Sequence, residues 1–520
     1  MNNPSEKKRT VFILLLISLL YAALVISHWD EHYIDFGDGN YLYISARLAD
    51  RLTLYRDIMA PQPPCHLYLG AALIKLGRAL NQPLYTVRAF SLLLRLAAML
   101  LVFLITRKIT KRLLDSCLAA ILYLAVPIGF WWAQGYQSEG LLIFFMLVSF
   151  YFFIDLEPRK LWFAALFGTL AAFTNMTAVP YLFLANLFLL VRHRRLMLHY
   201  TLPMALMGLA GVLLMEFVSD GFYLRNVFLN QVGTFPKPEI SGESVLSYAV
   251  RKIMNEGKDV LTWEGGYVLF GLTGLAMYIL KGDEIDTRRE YIGWHAFFSF
   301  CSIIYVSKGG TMEYIFTIGE PFAVIFFAHA MGLFWRGTMR EGEGWKNISF
   351  KDTSRFAAVC VLFMRLFATF YIGVLFVRKT LYAESYELPA SEVKVVKEII
   401  GQHSREGDAI LAPPFYAFIT GRRVVEEYSE NYIWTIKYVN EVFVDKKPGE
   451  GVAKALAITR ALKARRVPIV LLDMAQTAKL PPIKEAIDAY YEPLNFRSNS
   501  NVLQTLNTRI EIYVPKKICD

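Results

Sequence analysis

Apolar runs long enough to enter a bilayer recur from residue 10 to residue 377, and they constrain the fold more than any other feature. A helix needs roughly 20 largely apolar residues to cross the hydrocarbon core. About eleven runs qualify or come near: 10–27, 89–106, 113–133, 140–154, 161–176, 178–191, 201–218, 264–280, 291–306, 315–335 and 356–377. Several fall short of that length, and the pair divided at Asn175 is separated by the smallest break. Hydrophobic residues make up 55% of the chain and charged ones only 19%. Soluble domains carry about 25% charged residues, so the runs and the composition predict an α-helical polytopic membrane protein.

The net charge of +10 would fit nucleic acid in a soluble protein, but here it is read loop by loop. With a cytoplasmic N-terminus, the cytoplasmic segments carry Lys7, Lys8, Arg9; Arg107, Lys108, Lys111, Arg112; Arg159, Lys160; Arg192, Arg194, Arg195; Lys281, Arg288, Arg289; and Arg336, Arg340, Lys346, Lys351, Arg355. The short opposite loops 134–139, 174–177 and 307–314 carry only Lys308. This is the positive-inside pattern, and an error of one span would invert it. The first run follows three basic residues like a signal peptide, but no small-x-small cleavage site follows, so it reads as a retained helix. The cysteines (65, 117, 301, 360 and 519) and the eight histidines have no metal-ligand spacing, which disfavours a catalytic zinc.

Three segments then lie on the outer face: 28–88, 219–263 and a tail from about 380 to 520. The first two exceed ordinary connections in length. Apolar residues recur at helical spacing in 40–53 (Tyr41, Ile44, Leu48, Leu52) and in 66–78 (Leu67, Leu69, Leu73, Leu76), predicting amphipathic helices at the interface. The tail alternates. Helices are predicted over 390–402 (capped by Ser391), 451–464 and 482–490, strands at "DAILA" and "VPIVLLD", and two further strands around a turn near Asn507. That is a small α/β domain, giving a division into 1–379 and 380–520. There is no internal repeat, and "GDGN" alone is not a phosphate loop.

Asp35 and Asp38 precede the first interfacial helix, and Glu139 sits in the short second external loop, all at one membrane face. Carboxylates there can serve as base, acid or metal ligand, and a divalent cation is compatible with them. They can equally cap helices, Asp38 before 40–53 and Ser138 or Glu139 before 140–154. Arg88 and Arg95, seven apart, share a helix face, and Arg365 lies within a span. An intramembrane Arg faces a protein interior or a cavity, snorkels to the interface, or pairs with a structural carboxylate such as that of Glu216. Lys308 stands alone on the outer face, where it can meet a lipid phosphate or simply be solvated, and Arg225 lies in the long fourth external loop; both are cations suited to a phosphate.

The stretch "GDGNYLYISARLADRLTLYRDIMAPQPPCHLYLGAALIKLG", followed by "VRAFSLLL", resembles the GT-C-fold polytopic glycosyltransferases, among them protein O-mannosyltransferases and the lipid A aminoarabinose transferase. Their first external loop reads D-E-x-x-Y, a helix, Y-R-D, P-P, an apolar helix ending in L-G, and an Arg that opens the second span. Tyr41, Tyr55, Arg56, Asp57, Pro63, Pro64, Leu76, Gly77 and Arg88 match in order. "SEGLLIFF" stands at the second acidic loop, Asn175 stands where Lys is common, and "EYIFTIGEP" and "VVKEIIGQHSREGDAILAPPFYAFITGRR" resemble later segments. The D-E pair falls on Gly37-Asp38, so one acid is missing and Asp35 stands two residues earlier. The W-W-D motif of oligosaccharyltransferases is absent from the tail, which argues against transfer of a whole glycan.

The resemblance implies a glycosyltransferase that moves one sugar, with inversion, from a polyprenyl-phosphate (dolichyl- or undecaprenyl-phosphate) donor. The acceptor would be a hydroxyl of protein, lipid or glycan on the outer face of the cytoplasmic membrane. Asp38, Glu139 and Asp35 would be catalytic, and Arg88, Lys308 and Arg225 would hold the donor phosphate. The alternative class is a transporter or flippase without transfer chemistry. Such proteins usually show paired repeats and broken helices in both halves, and neither is evident. Membrane lipids are implied as partners and nucleic acid is not.

Overall fold

A computed structural model of the chain describes residues 4–229, 247, 319–338, 387–427, 450–473, 481–494 and 510–517. Among the described residues three helices are long and apolar enough to cross a membrane: Thr10–Ser27 within α1 (Pro4–Ser27), α4 (Pro83–Thr110) and α10 (Arg194–Val218). These coincide with the runs at 10–27, 89–106 and 201–218. On α1 and α10 the leucines face outward, with Leu19 at 68% and Leu213 at 60% exposure. In water such faces would be costly; against lipid they are not.

The run at 113–133 is not one helix. It divides into α5 (Leu113–Leu124) and α6 (Pro127–Trp132). Pro127 has no N–H to continue the helical ladder and disfavours helical geometry at Val126, so the first helix stops at Leu124. Beyond it come α7 (Ser138–Phe153), α8 (Pro158–Ala172), α9 (Val179–Arg192) and, later, the helix Glu320–Thr338. The break at Asn175 is real: its side-chain Oδ1 accepts the Thr177 N–H at 3.1 Å and starts the short turn Met176–Ala178. Residues from α4, α5, α7, α8, α9 and Glu320–Thr338 build one apolar core. The runs 264–280, 291–306 and 356–377, with Lys308 and Arg365, lie outside the described residues.

The first loop departs from its predicted form. Asp35–Tyr41 is a π-helical turn, and α2 is only Leu42–Ala49, ended by Asp50 and by Arg51 at φ 73°. The N-cap of α2 is Tyr41, with no side-chain bond, so Asp38 does not cap it. Nor does α2 lie on the surface as an interfacial helix, since seven of its eight residues are buried. The next helix, α3, is Pro64–Ala79, a turn longer than predicted, because Pro64 pre-sets the first helical position.

The tail alternates as expected, although its helix Ala390–His403 begins before Ser391, which therefore does not cap it. Short strands β3 (Ala409–Ile410) and β4 (Arg423–Val424) pair in parallel. Strand β5 (Val470–Asp473) pairs antiparallel with β7 (Ile510–Pro515), which pairs with β6 (Tyr491–Pro493). A parallel bridge, Leu411 to Val470, joins the two sets. The predicted turn near Asn507 lies outside the described residues. Strand β1 (His32–Ile34) of the first loop pairs antiparallel with β2 (Glu387–Pro389), and a second apolar core runs from α2 and α3 into the tail through Val396, Phe415 and Leu471. First loop and tail are one packed body.

Candidate active site

Asp38 is fully buried at the centre of the π-helical turn. Its Oδ2 accepts from Arg88 Nη2 at 2.5 Å, and its Oδ1 accepts the Tyr136 backbone N–H at 3.0 Å. Arg88, 1% exposed, also donates to the Trp29 carbonyl, and its guanidinium carbon lies 5.0 Å from the Tyr33 ring centre. A carboxylate so held is an anchored negative charge, and breaking a buried pair costs about 3–5 kcal/mol. Sequence reasoning assigned the two residues to different tasks; the fold makes them one unit.

Glu139 lies in the first turn of α7, after the N-cap Gln137, which makes no side-chain cap bond. Instead of capping, buried Glu139 accepts from Asn175 Nδ2 at 3.3 Å, and the same amide reaches Ser138 Oγ at 3.2 Å. Asn175 thus holds Glu139 with a neutral donor. Tyr136 links this loop to the Asp38 turn through its N–H and, through its hydroxyl, donates to the His66 carbonyl. Asp35 belongs to the same turn as Asp38. Among the described residues no three His, Cys, Asp or Glu side chains form a metal cage.

The first-loop motif is structural in its detail. Tyr41 stands edge-on to His66, with ring centres 4.7 Å apart. Tyr55, at φ 70°, donates from its hydroxyl to the Gln62 carbonyl at 2.7 Å and lies against Tyr223. Arg56 donates to Asp57 at 2.9 Å and to Asp220 at 3.2 Å, while Asp57 accepts the Thr53 N–H at 2.7 Å. The bond from Arg56 holds the Asp57 carboxyl below its ordinary range. Pro63 and Pro64 start α3. Arg225 opens a separate π-helical turn, Arg225–Leu229. Arg95 is buried against Tyr123, with its guanidinium carbon 3.7 Å from that ring centre. Glu216, offered above as a partner for an intramembrane Arg, accepts the Leu224 N–H at 2.9 Å.

His66 was not singled out from sequence. Burial pushes its imidazole down to about 3, opposed only in part by the Thr174 backbone. It is therefore neutral near pH 7 and cannot supply a proton there. The unfolded chain binds a proton below its ordinary pKa of about 6.5 while the folded chain does not, so stability is full above that pH and declines as pH falls towards 3. Between pH 7 and pH 5 the loss is expected to be about 2 kcal/mol. Thermal unfolding of the purified protein against His66→Gln checks this: the variant should lack that part of the pH dependence, and equal slopes would refute it.

Between α8, α9, α10 and Phe228 lies a cavity of about 400 Å³, lined by Phe173, Met176, Phe183, Met204, Val212 and Tyr223 among others. Its lining is almost wholly apolar, as a site for a hydrocarbon chain would be.

Comparison with solved structures identifies the architecture as the GT-C fold. ArnT from Cupriavidus metallidurans, solved bound to undecaprenyl phosphate, matches with a TM-score of 0.60 and 12% identity over 95% of this chain and 97% of its own. The archaeal oligosaccharyltransferase AglB from Archaeoglobus fulgidus, in complex with an inhibitory peptide and a dolichol-phosphate, matches with a TM-score of 0.56 and 10% identity over 99% and 77%. Both are GT-C-fold glycosyltransferases. No protein-family model matches the sequence, and comparison with curated proteins finds no match.

Proposed function

We propose that the protein is a glycosyltransferase that moves one sugar, with inversion, from a polyprenyl-phosphate donor to a hydroxyl of protein, lipid or glycan. The buried Asp38–Arg88 pair carries this reading. The two residues have opposite uses in such a reaction, one as base towards the acceptor hydroxyl and one as cation towards the departing phosphate. The two form a buried ion pair. A donor phosphate that engages Arg88 frees the Asp38 carboxylate to meet the acceptor hydroxyl. Glu139 orients substrate or a divalent cation from the neighbouring loop, and Asp35 is a further candidate acid of the Asp38 turn. Arg225 and Lys308 add cations to the phosphate, and the apolar cavity by α8–α10 suits an isoprenoid chain.

The donor class is supported by neighbours solved with undecaprenyl phosphate and dolichol-phosphate. The reading includes eleven spans within 1–379, an external α/β domain in 380–520, and a site on the outer face of the cytoplasmic membrane. Two measurements test it. A deletion strain is expected to lose one defined sugar from its glycolipids or glycoproteins while a precursor accumulates, and an unchanged profile by mass spectrometry refutes the activity. A cysteine probe at Glu450 should label from outside the cell and one at Glu343 should not; the reverse pattern refutes the orientation.

A further inference from the structure

Asp38 sits on a π-helical turn, a backbone form that is rare and persists where its surroundings impose it. Both flanks of the turn are tied to the C-terminal segment. On the N-terminal side, β1 pairs with β2 and the Tyr33 ring lies 5.0 Å from that of Phe415. On the C-terminal side, the Tyr43 hydroxyl accepts the Val424 N–H at 2.8 Å and donates to Glu427 Oε2 at 2.7 Å. One turn further along α2, Arg47 donates to both oxygens of Glu427, each at 2.8 Å. Between these anchors the helix Pro414–Thr420 packs directly on the turn.

An isolated surface ion pair would contribute little. This one is two-pronged, its side chains are 15% and 18% exposed, and it shares its carboxylate with a buried phenol. Burial, with the neighbouring Glu427 charge, raises the Tyr43 phenol far above its ordinary range, so it stays a donor. The network lies five or more residues from Asp38 along the chain, and among the described residues its hydrogen bonds reach no group assigned to the reaction.

We infer that Glu427, Tyr43 and Arg47 are positioning residues: through them the C-terminal segment clamps the Asp38 turn and sets the carboxylate where transfer requires it. This rests on the transferase reading above for its kinetic arm only. The second arm reads the clamp directly, through hydrogen exchange of the Tyr136 amide, whose N–H is bonded to Asp38.

The variants are Glu427→Arg, Arg47→Glu and the double exchange, with Tyr43→Phe as a mild change that keeps the packing. Each single variant is expected to lower kcat by about tenfold or more, with donor KM within about twofold, as for a group acting on the transition state through another. Exchange at Tyr136 should accelerate while amides within α8 stay protected, and the double exchange should restore most of both. Normal Tyr136 exchange in every variant overturns the clamp, whatever happens to kcat. If the wild-type protein transfers no sugar, the transferase reading fails while the exchange arm still decides the inference. Should the charge reversals fail to fold, Tyr43→Phe decides: faster Tyr136 exchange supports the clamp, and unchanged exchange overturns it.

Discussion

Asp38→Asn is expected to lower sugar transfer by at least about 100-fold, the low end of what a positioned proton acceptor contributes. A helix cap would behave differently, because Asn caps as well as Asp, but the structure gives α2 no side-chain cap at all. Rate alone does not separate the base from the ion pair. Asn at position 38 leaves the Arg88 guanidinium buried without its counter-charge, at a cost of about 3–5 kcal/mol. The deciding protein is therefore Asp38→Asn with Arg88→Gln, which removes both charges. Its thermal stability is expected to recover much of the loss, since replacing both members of a buried pair is far milder than breaking it. Its transfer rate is expected to stay low. A double variant that regains both stability and turnover would reduce Asp38 to the structural half of an ion pair.

Gly77→Ala is expected to destabilise the protein by about 3 kcal/mol or more, at or above the upper end of ordinary overpacking. A Cβ at this position would stand 2.5 Å from the Pro83 Cα and 3.1 Å from the Gln82 carbonyl oxygen. Both are backbone atoms, so no rotamer change relieves the clash. The corner between α3 and α4 is closed there by the Gln82 N–H to the Gly77 carbonyl at 2.8 Å, with Asn81 at φ 56°. Because α4 carries Arg88, a displaced corner also shifts the cation of the site. Gly208→Ala is the control: nothing lies within 4 Å of its added Cβ. Thermal unfolding of the two purified variants checks the contrast, and a Gly77→Ala protein as stable as wild type would show that the corner yields freely.

Gly77 illustrates what could be read beforehand. Its place in the L-G step before the second span was visible in sequence, but the reason, contact with Pro83, was not. The spans over 10–27, 89–106 and 201–218 were legible because hydrophobic length is a local property of the chain. The break in 113–133 was legible in principle from Pro127 and was missed because apolar length outweighed it. For Asp38, capping was a sound local inference, since an acid before an apolar helix is usually a cap. The π-helical turn defeated it by moving the helix start from 40 to Leu42.

By itself the sequence determined that apolar helices fill the bilayer, that a charged first loop follows α1, and that the tail alternates helix and strand. Each of these follows from the period, length and charge of contiguous residues. Only the tertiary structure decided that Arg88 belongs to Asp38, that the Tyr136 N–H bonds the same carboxylate, and that Glu427 reaches back to Tyr43 and Arg47. These partners lie 50, 98 and some 380 residues apart. A buried charge must find an opposite charge or a donor wherever the fold brings one close, and no periodicity along the chain records which one that will be.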